Sequence, residues 1–287
     1  MDPNSYTATV LHPSSLSLKR SVVGDAASPP VLVVHGITGS RRYWLPRILP
    51  LASRYRLLVP DLPGFGFSPK PFVDYTPEFF VESLLEFLEQ EKVQGPVHVV
   101  GHSLGSVLAL EMATRYPELV ARLALLNVPR YNDPDEAHRL WIAGSASYRN
   151  LLSVNSLAAN LAQVRRTGLR LTTRYVRRLP LAVLADARRF TFRSLTSTLE
   201  HCLLHYRVDD VLAAMPEAPV LLIHGDHDQV APLEGLLDVV RRREHVSVHV
   251  IRGAGHHPFH THTTHCLRLI NAHLAGEPTD AISDGRA

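Results

Sequence analysis

The sequence predicts an α/β fold, with a mostly parallel central sheet flanked by helices and an inserted helical segment. Three observations carry this reading. Short continuous apolar runs such as Val31-Leu32-Val33-Val34 recur along the chain and read as strands buried on both faces. Helical patterns fall between them, as crossover connections between parallel strands require. From Pro129 to about Arg207 the alternation stops and the pattern stays helical, and beyond that point strands and helices alternate again.

Taken in order, Leu16–Val23 alternates loosely and reads as an early strand, with a companion expected near Tyr6–Val10. Asp25-Ala26-Ala27-Ser28-Pro29-Pro30 is a turn, and Val31–Val34 is the first buried strand. A helix is expected from near Trp44. Arg56–Pro60 is the next strand and runs into a compact Pro/Gly loop, Asp61-Leu62-Pro63-Gly64-Phe65-Gly66-Phe67-Ser68. A helix starts at Thr76-Pro77, with Phe80, Leu84, Leu85 and Leu88 on one face. Strands follow at Val97–Val100, Leu123–Asn127, Val220–His224 and Ser247–Ile251. Helices are read over Ser106–Tyr116, Pro232–Arg243 and about Thr263–Leu274. The division expected is a core over 1–128, an inserted helical unit over 129–207, the rest of the core over 208–275, and a frayed polar tail over 276–287.

At 287 residues, 45% of them hydrophobic and 20% charged, the chain can bury a sizeable core. A formal net charge of +3 is too small to argue for nucleic acid. Cys202 and Cys266 are the two cysteines and form no CxxC, so a reducing compartment, the cytoplasm, is expected. No basic stretch leading into an apolar run opens the chain, so no signal peptide is expected. No apolar stretch is long enough to span a membrane.

The chemistry centres on Gly101-His102-Ser103-Leu104-Gly105, which follows an apolar β-branched run and precedes a helical one. A serine hydroxyl is a weak nucleophile that needs a base, and the base needs an acid to orient it. A sharp strand-to-helix turn lifts the serine clear of the sheet, and its crowding calls for glycine on either side. The helix start also directs free backbone N–H groups toward the same point. After the strand Val220–His224 comes Gly225-Asp226-His227-Asp228. After Ser247–Ile251 comes Arg252-Gly253-Ala254-Gly255-His256-His257-Pro258. Serine, acid and histidine thus all follow strands, at the carboxyl ends where open α/β sheets build their sites.

These motifs, with His35-Gly36 after the first buried strand and Asp61–Ser68 after the next, resemble the α/β-hydrolase superfamily in its lid-bearing branch of esterases and lactonases. The resemblance spans residues 31 to about 275. It implies an α/β-hydrolase fold with a helical lid, a serine hydrolase of carboxylesterase type, Ser103 as nucleophile, His256 as general base and Asp228 as the orienting acid. It also implies an oxyanion hole from the backbone N–H groups of Ile37 and Leu104, and Trp44 packing against that loop. The family spacing favours Asp228 over Asp226 and His256 over His257, which is left facing the lid. His102 is read as packing and Asp61 as an organiser of its own loop.

No cofactor and no metal is expected. The run His256-His257-Pro258-Phe259-His260-Thr261-His262-Thr263-Thr264-His265 suggests ligands, yet no acids or cysteines cluster with it. The expected partner is a small, largely apolar acyl or ester substrate. Within Pro129–Glu200 there are 12 Arg and 5 acids, against 18 basic and 22 acidic residues elsewhere. Arg166, Arg170, Arg174 and Arg177 at helical spacing read as a solvated helix face, with an anionic substrate group as the rival. Trp141, Tyr148, Leu151, Leu152, Leu157, Leu161, Tyr175, Phe190 and Phe192 are expected to pack onto the core, a few of them lining an acyl or ring pocket. Three alternatives stay open: a carbon–carbon bond hydrolase, a biosynthetic thioesterase, acyltransferase or cyclase, and a small-ligand receptor that retains the triad.

Overall fold

The computed structural model describes residues 16–144, 180–214, 218–240 and 243–279. Seven strands form one sheet: β1 (Arg20–Val23), β2 (Pro30–Val34), β3 (Arg56–Pro60), β4 (Val97–His102), β5 (Val120–Leu126), β6 (Val220–Gly225) and β7 (Val246–Ile251). Their order is β1-β3-β2-β4-β5-β6-β7, with β1 antiparallel to β3 and all other pairs parallel. The strand carrying the Gly-x-Ser-x-Gly turn, β4, is therefore central.

Alternation along the strands divides the interior into two layers. Leu32, Val34, Leu58, Val97, Val99, Leu123, Leu125, Val220 and Leu222 face the layer that holds helices α1 (Pro77–Gln90) and α2 (Leu104–Arg115). Val31, Val33, Leu57, Val59, Val100, Ala124, Leu126, Leu221, Ile223 and Ile251 face the other, with Trp44, Ile48, Phe259, Leu269 and Ile270. Burial on both faces is why these strands read as unbroken apolar runs. Thr76 caps α1 through its side chain and Pro77 stands in the first turn, where its missing N–H costs nothing.

Three expectations change. The first strand covers only Arg20–Val23, because the Lys19 backbone pairs with the Pro/Gly loop: its N–H donates to Ser68 Oγ (2.9 Å) and its carbonyl accepts from Asp61 N–H (2.7 Å). In place of a helix from Trp44 there are short 3-10 turns at Arg41–Tyr43 and Leu49–Ser53. Pro50 lacks an N–H that an α-helix running on from Trp44 would use. At the end of helix α9 (Thr263–Leu274) the chain does not fray at once. Gly276 (φ 74°) donates to His273 O and Glu277 to Ala272 O, a Schellman closure that glycine permits.

Among the described residues of 129–207 every regular element is helical: α3 (Pro134–Gly144), α4 (Leu181–Asp186), α5 (Phe192–Thr198) and a π-helical turn over Leu199–Leu204. Helices α6 (Val208–Ala214), α7 (Leu233–Val240) and α8 (Pro258–Thr261) follow among the described residues, ahead of α9. The companion strand near Tyr6–Val10, the side chain of Trp141, residues Tyr148 to Tyr175 and the four arginines from Arg166 to Arg177 lie outside the described residues.

Candidate active site

Ser103 stands between β4 and α2 with φ 52° and ψ −117°, a strained conformation for a non-glycine residue. Its N–H donates to Leu126 O on the neighbouring strand (2.9 Å). A Cβ at Gly101 would stand 2.4 Å from Gly105 O, and one at Gly105 would stand 2.4 Å from Val34 O, so both positions exclude side chains. Ser106 Oγ ties the turn further, with Gly101 O at 2.9 Å and Leu126 O at 3.1 Å. Leu104 opens α2, so its N–H has no acceptor within the helix.

The loops after β6 and β7 bring Asp228 and His256 to this serine. His256 Nε2 lies 3.0 Å from Ser103 Oγ, and His256 Nδ1 lies 2.7 Å from Asp228 Oδ2. A carboxylate accepts, so Nδ1 carries the ring proton and Nε2 is left to accept from the serine hydroxyl. Asp228 Oδ1 takes the N–H groups of Val230 (2.9 Å) and Ala231 (3.0 Å), and Oδ2 also accepts from Asn127 Nδ2 (2.6 Å). Burial opposes ionisation of Asp228. The charge and hydrogen bond of His256, together with the Ala231 amide, outweigh it and hold the carboxyl far below the usual range. Ser103 is 2% and His256 9% exposed, so the pair is shielded from bulk water.

The loop after β2 packs on the same turn. His35 donates from Nδ1 to Gly36 O (2.8 Å) and accepts at Nε2 from Leu62 N–H (2.9 Å), which fixes its tautomer and joins this loop to the Pro/Gly loop. A Cβ on Gly36 would lie 2.9 Å from His102 Nδ1 and 3.2 Å from Ser103 Cβ. That close approach brings the backbone leading into Ile37 beside the serine. Trp44 is buried against Tyr43 and Phe259, with ring centroids at 5.2 Å and 4.6 Å.

The rivals part from the site. Asp226 is exposed and accepts Gly253 N–H at 2.7 Å, the work of a turn carboxylate. Buried Asp61 accepts from Arg41 N–H (2.6 Å), Arg41 Nη1 (2.7 Å) and Phe67 N–H (2.8 Å), and so organises its loop. His257 is a neighbour of His102 and His256, each ring at 5.3 Å, and faces Tyr43. Of the histidine run, His260 donates from Nε2 to Tyr43 O (2.7 Å) and His262 Nδ1 pairs with Thr261 Oγ1 (2.8 Å). Among the described residues no group of three or more His, Cys, Asp or Glu side chains is placed to hold a metal ion.

His102 and Asn127 carry more than the sequence indicates. His102 Nε2 donates to His256 O at 2.7 Å, and Asn127, with φ 51°, presents its amide to Asp228. The available signal for Asn127 is its place: a polar residue closing an apolar strand at the carboxyl edge of the sheet, where sites form.

The inserted segment docks on this edge through polar contacts. Buried Asp186 accepts from Ser40 Oγ (2.8 Å), Arg42 Nη1 (3.1 Å) and Arg189 Nε (3.2 Å). Ser194 Oγ donates to Gly64 O (2.9 Å), Tyr75 N–H to Ser197 Oγ (2.8 Å), and Arg130 forks onto Asp209 (2.8 and 3.0 Å). Arg193 pairs with Asp74, and Arg189 lies 4.0 Å above the Phe67 ring. Arg130, Arg189 and Arg193 thus fasten the described part of the segment to the core. Phe190 packs on the core, whereas Phe192 is exposed.

Burial, with His256 as the nearest like charge, pushes His257 down to about 3; burial beside Arg47 takes His260 down to about 4. Both rings are therefore neutral in the folded chain, while in the unfolded chain they titrate near 6.5. Below pH 6.5 the unfolded state binds protons that the folded state refuses, and every tenfold difference in proton affinity is worth roughly 1.4 kcal/mol. Stability is therefore complete above pH 6.5 and falls as the pH drops toward 4 and then 3. A melting-temperature series from pH 7 to pH 4 should descend below 6.5. A flat series would mean that these rings are protonated in the native state.

The fold built around this site is shared. Residues 29–263 match the family model described as alpha/beta hydrolase fold. An esterase from Thermogutta terrifontis superposes with a TM-score of 0.71 at 22% identity, covering 91% of this chain and 94% of that one. E-2-(acetamidomethylene)succinate hydrolase does so at 0.73 and 20% identity, covering 92% and 97%. Among sequences, a cis-3-alkyl-4-alkyloxetan-2-one decarboxylase of Shewanella oneidensis is 26% identical over 257 residues, covering 83% of this chain and 80% of that protein. The probable lysophospholipase BODYGUARD 3 of Arabidopsis thaliana is 32% identical over 166 residues, 55% of this chain. That match spans only 33% of the plant protein's length. With the family model matched across all but the ends and the sheet order and turn in agreement, this chain is a member of the α/β-hydrolase family.

Proposed function

We propose that the protein is a serine hydrolase that cleaves a carboxylic ester or related acyl bond through Ser103, His256 and Asp228. The observation that carries this is the unbroken chain from Ser103 Oγ through the His256 ring to Asp228, at 3.0 and 2.7 Å. Ser103 Oγ attacks the substrate carbonyl carbon while His256 Nε2 takes the hydroxyl proton. The tetrahedral oxyanion is held by the N–H groups of Leu104 and Ile37, a pair of which each member contributes roughly 3 kcal/mol in comparable enzymes. His256 then gives its proton to the leaving oxygen, an acyl-enzyme remains, and water releases it by the same steps reversed. Asp228 stays ionised throughout and stabilises the imidazolium.

The inserted segment acts in this reading as a lid, its described residues fastened to Ser40 and Gly64 beside the site, and the burial of Ser103 favours a largely apolar acyl group. The free, buried Cys202 and Cys266 suit a reducing compartment such as the cytoplasm. One relative is named for a cis-3-alkyl-4-alkyloxetan-2-one, a four-membered lactone, so a strained lactone is the second substrate class.

Incubation with a fluorophosphonate probe followed by intact mass tests the reading. One adduct is expected on the wild type and none on Ser103→Ala. No adduct on folded wild type would remove the serine-hydrolase proposal. A panel of p-nitrophenyl esters and a β-lactone then assigns the acyl class.

A further inference from the structure

The loop that carries His256 is tied at both ends to the parts it must serve. At its start, His102 Nε2 donates to the backbone carbonyl of His256 at 2.7 Å, across 154 residues of sequence. At its end, His260 Nε2 donates to the carbonyl of Tyr43 at 2.7 Å. The Tyr43 ring closes the circuit: it stacks on His102 at 4.6 Å and 22°, and meets His260 edge-on at 4.5 Å. His102 is the residue before the nucleophile, and its Nδ1 would stand 2.9 Å from a Cβ on Gly36. One ring therefore touches the serine turn, the base loop and the loop proposed to bind the oxyanion.

We propose that His102 is a positioning residue that sets the His256 imidazole against Ser103 by holding the His256 backbone, with Tyr43 and His260 bracing the far end of the same loop. This rests on the serine-hydrolase reading for its catalytic consequence and on the hydrogen bond alone for its geometry. The physical reason is leverage. The imidazole must accept from Ser103 on one side and donate to Asp228 on the other, and Asp228 is itself immobilised by Val230, Ala231 and Asn127. A shift of the His256 backbone cannot be followed by Asp228, so it lengthens one bond or the other. The His102 ring carries its proton on Nε2 as the donor. Nδ1 is packed against Gly36 and has no hydrogen-bond partner, so the ring does nothing polar besides holding that carbonyl.

Two variants separate the donor from the packing. His102→Phe keeps an aromatic ring against Tyr43 and removes the N–H, whereas His102→Gln sets an amide N–H near the position of Nε2. A misplacement on the order of 1 Å costs about 100-fold in rate. His102→Phe should therefore lose about that much kcat with KM within a few-fold, and its rate of fluorophosphonate labelling should fall in parallel. His102→Gln should recover most of both. In proton spectra the downfield Nδ1–H signal of His256 should weaken or broaden in His102→Phe and return in His102→Gln. A His102→Phe protein that melts lower but keeps wild-type kcat and an unchanged His256 signal would reduce His102 to packing and overturn the proposal. Failure of the wild type to label at all, with the His256 signal still dependent on residue 102, would refute the hydrolase reading and support the positioning role.

Discussion

Ser103→Ala should lower kcat for the best ester on the panel by on the order of 10⁶-fold, with KM little changed. The size follows from the covalent route. Without Oγ there is no acyl-enzyme, and His256 and Asp228 are left with no protein nucleophile to activate. The loss should come with little change in stability. The strained φ of 52° is shared by alanine, and the bonds that build the turn belong to the backbone and to Ser106, with Gly101 O and Leu126 O as acceptors. Residual turnover well above the uncatalysed rate is expected, because the N–H groups of Leu104 and Ile37 remain aimed at the carbonyl oxygen. Stopped-flow or single-turnover kinetics on protein purified free of wild type measures it. A loss under tenfold would mean that another group attacks.

The sheet was legible because its parallel strands are buried on both sides, so runs such as Val31–Val34 and Val220–Ile223 carry no polar interruption. The three residues expected to do the chemistry were legible for a related reason: each closes or follows a strand at the same edge. What the sequence hides are the partners reached across long stretches of chain. Asn127 meets Asp228 across 101 residues, His102 meets His256 across 154, and Leu62 meets the His35 ring across 27. Nothing local about a histidine beside a serine says whether its ring packs or donates, and only the fold supplies the acceptor. The early strand is shorter than its apolar pattern for the same cause, since Lys19 spends its backbone groups on Asp61 and Ser68. The missing helix near Trp44 is different: its obstacle, Pro50, stands in the sequence itself and needs no distant partner.

Asp228→Asn should cost about 10⁴-fold in kcat, and the surroundings of this carboxylate say why. Oδ1 accepts two backbone N–H groups, from Val230 and Ala231, so the asparagine carbonyl must stand there. Its NH₂ is then forced into the place of Oδ2, facing His256 Nδ1 and the Asn127 amide, both of which now donate. Asn127 can turn over and offer Oδ1, which has no partner in the wild type. His256 can relieve the clash only by moving its proton to Nε2. That tautomer points an N–H at Ser103 Oγ and cannot take the serine proton. The defect is therefore one of protonation with the geometry kept, and it differs from the displacement expected of His102→Phe. It should ease at high pH, where hydroxide can remove the serine proton without the imidazole, and the His256 Nδ1–H signal should vanish outright. Asp228→Asn with wild-type kcat at neutral pH would show that His256 is oriented without this acid.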